Sequence, residues 1–220
     1  MARIDLAVPF AEKDQVKALG GRWDPTNKVW YILEGLSVES FRKWIPFRNV
    51  RSPFWYIAQT QGICWKCKES TLLTSVLLPK GHETLEKDDE STEGATFWLK
   101  QEKPAFIFYI DEIPRDILIN FNKVRHYLSR DFSKTTNSHY WMNHCEHCNQ
   151  KQGDFSLHCE PNGYFSPLEI HRAENINLHS INSPFIAACG DISHQHVHIH
   201  FGDSGVSTSG EMLEWMKIVD

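Results

Sequence analysis

"CWKC" (residues 64–67) places two thiols three positions apart in a chain that has six cysteines. A disulfide, a redox-active pair and half of a metal site all fit that spacing, so the remaining cysteines decide between them. "NHCEHC" (residues 143–148) repeats the spacing with Cys145 and Cys148. Two Cys-x-x-Cys turns are the usual framework of a tetrahedral four-thiolate zinc site, because zinc favours four soft ligands at about 2.3 Å. Cys64, Cys67, Cys145 and Cys148 are therefore the expected Zn2+ ligands. A thioredoxin-like redox motif would open a helix, whereas Trp65-Lys66 leads through Lys68-Glu69-Ser70-Thr71 into a strand-like run. His144 and His147 flank the second turn and could replace a sulfur. The expected role for them is instead that of neighbouring donors, with Lys66 and Lys68 offsetting part of the thiolate charge. A four-thiolate site leaves no position for water or substrate, so it implies architecture in preference to catalysis.

The two turns are separated by residues 68–144, an interval long enough to require a whole subdomain between them. "TLLTSVLLP" (71–79) and "FIFYI" (106–110) predict buried strands, and "HETLEKDDESTEGA" (82–95) a solvated acidic loop. Ile113, Ile117, Phe121, Val124 and Leu128 recur at helical spacing, with Pro114 suited to a first turn. Upstream, "RIDLAVPF" predicts a strand, "AEKDQVKALGG" a helix stopped by Gly20 and Gly21, "RWDPTNKVWYIL" a hairpin and "LSVESFRKWI" a second helix. The expected architecture is α+β: a small β-α-β-β-α module over residues 1–51, then a mixed zinc-ribbon-containing domain with antiparallel sheet over residues 52–220.

Gly21-Arg22-Trp23-Asp24 and Lys28-x-Trp30-Tyr31, following the Val8-Pro9-Phe10 strand end and a helix rich in Glu and Lys, resemble the signature of the DUF5710-type module. The resemblance covers residues 6–32. It implies company more than chemistry, because such modules accompany plasmid primases and other mobile-element proteins and are distantly similar to the HARP-type unit of annealing helicases that recognises DNA forks. Carried over, Arg22, Trp23, Lys28 and Trp30 are the signature positions. Trp23 and Trp30 are expected to close a small core. Arg22 and Lys28 are left as exposed candidates for phosphate contacts. Residues 60–168 resemble an extended zinc-ribbon region found downstream of this module in uncharacterised bacterial proteins, which supports the fold and implies no reaction.

Net charge is −5 over 220 residues, which disfavours a dedicated nucleic-acid binder. Residues 1–55, however, hold nine Lys or Arg against six Asp or Glu, a net of +3, so the remainder carries −8. That asymmetry points the amino-terminal part toward an anionic partner. Arg22, Lys28, Arg42, Lys43, Arg48 and Arg51 are the candidate contacts to DNA or RNA, single-stranded or forked, and a protein partner is the alternative. No apolar run approaches the 18 or so residues that span a bilayer, and acidic residues enter too early for a signal peptide. A cytoplasmic protein is expected.

"HQHVHIHFG" (194–202) alternates His194, His196, His198 and His200, which a strand would place on one face. Residues 196–202 are similar to the motif of histidine-triad nucleotide hydrolases and transferases, in which His198 would be the nucleophile. Gly202 is a poor final apolar residue, and "GDISHQ" stands where Gly-Gln usually leads in. A polar strand face is the default reading, with chelation of a second metal a further alternative. Asp154, His158 and Glu160 lie close in "QGDFSLHCEPNG", where the Pro-Asn-Gly turn predicts an exposed hairpin. Cys159 and Cys189 are expected to be buried and inert. With no Walker loop, nucleophile elbow, His-Glu-x-x-His or dinucleotide fingerprint, the expected function is a zinc-stabilised binding or adaptor protein of a bacterial or mobile-element system.

Overall fold

A computed structural model describes residues 3–26, 28–33, 35–88, 95–193 and 215–219. The chain divides into two units, Met1–Phe47 and Arg48–Asp220.

In the first unit, strands β1 (Arg3–Leu6), β2 (Arg22–Asp24) and β3 (Val29–Leu33) form an antiparallel sheet in the order β1-β3-β2. Helix α1 (Lys13–Ala18) follows a 3-10 turn at Phe10–Glu12. It ends where Gly20 takes φ +95°, a left-handed conformation open to glycine at low cost. Gly21 is equally constrained, since a Cβ there would stand 2.4 Å from Val16 Cγ1 and 2.9 Å from Val16 O. Leu6, Val16, Ile32, Phe41 and Trp44 make the core, with Trp30 packed against it. Residues Val38–Trp44, where an α-helix was expected, form a 3-10 helix. Its two large aromatics, Phe41 and Trp44, stand three apart, which is the 3-10 repeat, and Trp44 Nε1 donates to Glu12 Oε2 at 2.6 Å.

The second unit is mostly sheet. Its strands are β4 (Val50–Ser52), β5 (Trp55–Ile63), β6 (Ser70–Leu78), β7 (Glu83–Lys87), β8 (Thr96–Lys100), β9 (Ala105–Glu112), β10 (Leu128–Ser133), β11 (Ser138–His144), β12 (Lys151–Gln152), β13 (Asn177–Ile181), β14 (Phe185–Ser193) and β15 (Lys217–Val219). They run in the order β15-β13-β5-β6-β9-β14-β4-β7-β8, while β11 pairs with β9, β10 and β12. Neighbours are antiparallel apart from β13 and β15. Strands β6 and β9 are apolar on both faces because both faces are covered. On one face Val76, Leu78 and Ile107 pack with Trp55, Phe121 and Phe185, covered by helix α2 (Arg115–Phe121). On the other, Leu73, Leu77 and Phe106 pack with Leu157, Phe165 and Met216. A short helix α3 (Ile170–Ala173) precedes β13.

Three sequence expectations are corrected here. The helical spacing from Ile113 to Leu128 stops being a helix after Phe121, and Leu128 opens β10. Val124 and Leu128 still pack against the core, so the periodicity marked burial, but antiparallel pairing of Leu128–Ser133 with β11 took the backbone. The acidic stretch at 82–95 is not wholly loop: Glu83–Lys87 pairs with Thr96–Lys100, and Thr84 is buried beneath Gln101 Nε2 at 2.6 Å. Finally, Phe155–Cys159 is a π-helical turn, not an exposed hairpin, and it buries His158 while Asp154 is buried just before it.

Strand β9 changes partner midway. Ala105–Ile107 pair with Leu78–Val76 of β6, then Ile110 pairs with Trp141 of β11. Between them Tyr109 has φ +51° and donates its N–H to Asp154 Oδ2 at 2.7 Å. Gly190 on β14 makes room for this bend, since a Cβ there would already lie 3.0 Å from Tyr109 Cβ. The sheet forks here, and the two tines lead to the two Cys-x-x-Cys turns.

Candidate metal centre

Each cysteine pair sits at the tip of a hairpin, and the two tips are built alike. In the first, β5 and β6 pair out to Ile63 and Ser70; Cys64 N–H then donates to Glu69 O (2.9 Å) and Lys68 N–H to Cys64 O (3.0 Å). In the second, β11 and β12 pair out to His144 and Lys151; Cys145 N–H donates to Gln150 O (2.9 Å) and Asn149 N–H to Cys145 O (2.9 Å). The residue after the second cysteine is left-handed in both, Lys68 at φ +67° and Asn149 at φ +55°. Asparagine tolerates that conformation; lysine is strained by it.

The two tips meet. Cys64 Sγ lies 3.7 Å from Cys148 Sγ and Cys67 Sγ 3.6 Å from Cys145 Sγ, and all four sulfurs lie within 4.8 Å of one another. These separations are far too long for a disulfide. A tetrahedron of sulfurs at about 2.3 Å from a central ion has edges of about 3.8 Å, so the spacing is that of a metal-ligand set. Cys64 and Cys145 are buried, Cys67 and Cys148 half-buried.

Their ionisation points the same way. Burial opposes the Cys64 thiolate, but the N–H groups of Cys67 and Lys66 and the neighbouring thiols outweigh it and bring its pKa down to about 6. Cys145 is likewise lowered: burial opposes its thiolate, and the N–H groups of Cys148 and His147 outweigh it. At Cys67 the Glu69 N–H favours the thiolate, yet burial and the surrounding sulfurs push it up to about 12. Four thiols this close cannot all ionise unless a cation joins them.

His144 and His147, expected beside the sulfurs, turn their rings elsewhere. His144 Nε2 lies 3.1 Å from Asp131 Oδ2 and its Nδ1 3.1 Å from Ser129 Oγ. His147 Nε2 donates to Ser70 O at 2.9 Å, and it is the His147 main-chain N–H that reaches Cys145 Sγ, at 3.4 Å. Gln152 was not anticipated, although its Nε2 donates to Cys64 Sγ at 3.3 Å. Nor was the side-chain ladder that joins the tines of the fork. Leu72 N–H donates to Glu146 Oε1 (3.3 Å), Thr74 N–H to Asn143 Oδ1 (2.8 Å), and Asn143 Nδ2 to Thr74 O (2.9 Å). Trp65 Nε1 adds a bond across the tips to Lys151 O at 2.7 Å. No sequence spacing signals such long-range pairs.

The six basic candidates are divided between the two units. Arg22 and Lys28 are exposed on the first unit and form no ion pair among the described residues. Arg42 pairs with Glu39 (3.3 Å) and Lys43 with Glu12 (3.0 Å). Arg48 and Arg51 belong to the second unit, where Arg48 forms a bidentate pair with Glu112 (2.8 and 2.9 Å) and Arg51 pairs with Glu83 (2.5 Å) while stacking on Trp98. Residues 1–47 thus hold seven basic and six acidic side chains. Trp30 packs on the core, and Trp23, its ring 5.7 Å away, remains 47% exposed.

His194, His196, His198 and His200 lie outside the described residues. Asp154, His158 and Ser75 have the composition of a hydrolytic triad but not its geometry. The Asp154 carboxylate is engaged with Tyr109 N–H, and His158 Nδ1 has no partner among the described residues. Ser75 Oγ stands 3.5 Å from His158 Nε2, with all three residues buried. Cys189 is buried, its thiol pushed up to about 12 by burial, whereas Cys159 is exposed, against expectation. No described helix is long and apolar enough to cross a membrane.

Segments of two known proteins resemble a short stretch of this chain. A "DNA primase TraC" of Escherichia coli is 52% identical over 42 residues, 19% of this chain and 4% of that protein. A second Escherichia coli "DNA primase TraC" is 46% identical over 37 residues, 17% of this chain and 3% of its own length. The chain therefore spans a small fraction of these relatives. No solved structure matches it. Residues 3–46 match the family model described as "Domain of unknown function (DUF5710)", so the amino-terminal unit carries a DUF5710 domain.

Proposed function

We propose that the protein is a zinc-stabilised binding or adaptor protein, cytoplasmic, that serves nucleic-acid transactions of a bacterial or mobile-element system. The observation that carries the reading is the convergence of four thiols from two hairpin tips, in a set that a tetrahedral ion would complete. Cys64, Cys67, Cys145 and Cys148 would hold Zn2+; all-sulfur ligation suits it, and four protein ligands leave no position for substrate. The nucleic-acid part rests on the likeness of a short stretch of the chain to a segment of two DNA primases, and on Arg22 and Lys28 standing exposed without carboxylate partners among the described residues. Half-exposed Trp23 would offer a ring to an unstacked base.

A second reading, a protein–protein module, is favoured by one specific observation: Arg42, Lys43, Arg48 and Arg51 each already hold a carboxylate. Salt separates the two. Binding through several phosphates weakens steeply with ionic strength, and an apolar protein interface does not. Pull-downs with and without nuclease should lose the partner on nuclease treatment and in raised salt; a partner retained in both would replace the nucleic-acid reading by the protein one. Metal analysis of protein purified without an affinity column should return about one zinc per chain.

A further inference from the structure

At the fork, between the end of the β6–β9 pairing and the start of β9–β11, lies a cavity of about 20 Å3 whose polar lining comes from Thr74, Ser75, Asn143, Asp154 and His158. A water molecule needs roughly 10–15 Å3 and two to four polar partners, so the space suits one and is too small for an organic ligand.

His158 makes a demand on that space. It is only 4% exposed, and its ring is clamped between Phe108 (centroids 4.9 Å, planes 8° apart) and Phe165 (5.1 Å, 20°). The clamp prevents the imidazole from turning a nitrogen toward bulk solvent. Nε2 has Ser75 Oγ at 3.5 Å, and Nδ1 is a buried polar atom without a partner among the described residues. Buried polar groups are almost always paired, with protein or with ordered water. Asn143 gives one N–H and one lone pair of its amide to Thr74 and keeps one of each for a further partner. We propose that the cavity binds a single internal water, hydrogen-bonded to His158 Nδ1 and drawing its remaining partners from the polar side chains that line the fork. The water completes the polar lining at the point where β9 leaves β6, and it explains why a histidine is accommodated between two phenylalanines.

The test is water-17O magnetic relaxation dispersion on the full chain, metal-loaded, comparing the parent with His158→Phe. Phenylalanine keeps the stacked ring and removes the nitrogen. The parent amplitude should exceed that of the variant by one long-lived water. Equal amplitudes for parent and His158→Phe would overturn the proposal. Should His158→Phe fail to fold, a crystal structure of the parent at 1.8 Å or better decides. One isolated density peak within hydrogen-bonding distance of Nδ1 is expected, and a site without one, or with a larger species, refutes it.

Discussion

Asp154 gives the most quantitative test of the fork. Its carboxyl is buried, and burial pushes its pKa from 3.8 up to about 7 even though the Tyr109 N–H favours the ionised form. In the unfolded chain the group titrates near its ordinary value, so the sign is fixed. Below pH 4 both states are protonated and Asp154 costs nothing. Between pH 4 and pH 7 the unfolded chain ionises while the folded one stays neutral, and stability falls by about 1.4 kcal/mol per pH unit. Above pH 7 both are ionised and the cost levels off. A shift of roughly three units is about 4 kcal/mol, a large share of the 5–15 kcal/mol that holds a domain together. Asp154→Asn keeps a carbonyl oxygen for Tyr109 N–H and cannot ionise. Urea denaturation should find the variant close to the parent at pH 4 and more stable by up to about 4 kcal/mol at pH 8. Acid also weakens thiolate–metal binding, but parent and variant share that loss, so the difference between them isolates Asp154. A variant no more stable than the parent at pH 8, or an advantage as large at pH 4, would refute a buried carboxyl with a raised pKa.

Three further outcomes follow from the metal centre. Cys145→Ser should lower metal content from about one ion per chain to near none in elemental analysis, and melt the second unit early, since structural zinc is worth on the order of 10 kcal/mol. Asn143→Ala strips Thr74 of both main-chain partners; a loss of about 2–4 kcal/mol in denaturant titrations is expected, together with faster transfer of metal to a chromogenic chelator. Lys68→Asn relieves a left-handed lysine at a position where the equivalent residue of the other tip, Asn149, is already asparagine. It should raise stability by up to about 1 kcal/mol, visible as a higher melting temperature with metal content unchanged.

The parts legible in the sequence were those written in short-range patterns. Two Cys-x-x-Cys turns identified the four sulfurs because a tight turn brings residues three apart to one point, and "TLLTSVLLP" and "FIFYI" marked buried strands because both faces of β6 and β9 are covered. The same patterns misled where local and long-range forces differed. Leu128 kept a helical repeat although strand pairing claimed its backbone, and Val124 lies between the helix end and that strand. Asp154 and His158 read as an exposed turn because Pro161-Asn162-Gly163 does make one. Gly163 N–H bonds back to Glu160 O, but Phe108, distant in sequence, closes over the imidazole from one side and Phe165 from the other. The charge asymmetry was genuine as arithmetic; which arginines already hold a carboxylate depends on partners such as Glu112 and Glu83, 64 and 32 positions away.

The fork explains why a metal belongs where it is. Along β6 the edge away from β5 is paired by β9 only at Val76–Leu78. Ser70, Leu72 and Thr74 present their main-chain groups toward the second hairpin, where side chains take the place of a strand: His147 on Ser70 O, Glu146 on Leu72 N–H and Asn143 on both groups of Thr74. Each residue of that ladder comes from the segment immediately before or within the second cysteine turn. A ladder of side chains is weaker in register than one of backbone, because each rung carries its own rotamer entropy. Bringing four sulfurs to one ion at the open end of this ladder sets its register, since a slip of one residue along either hairpin would pull a thiol out of reach. A metal held by these four sulfurs would be a clamp on a sheet that has parted, a structural task that closed coordination would suit.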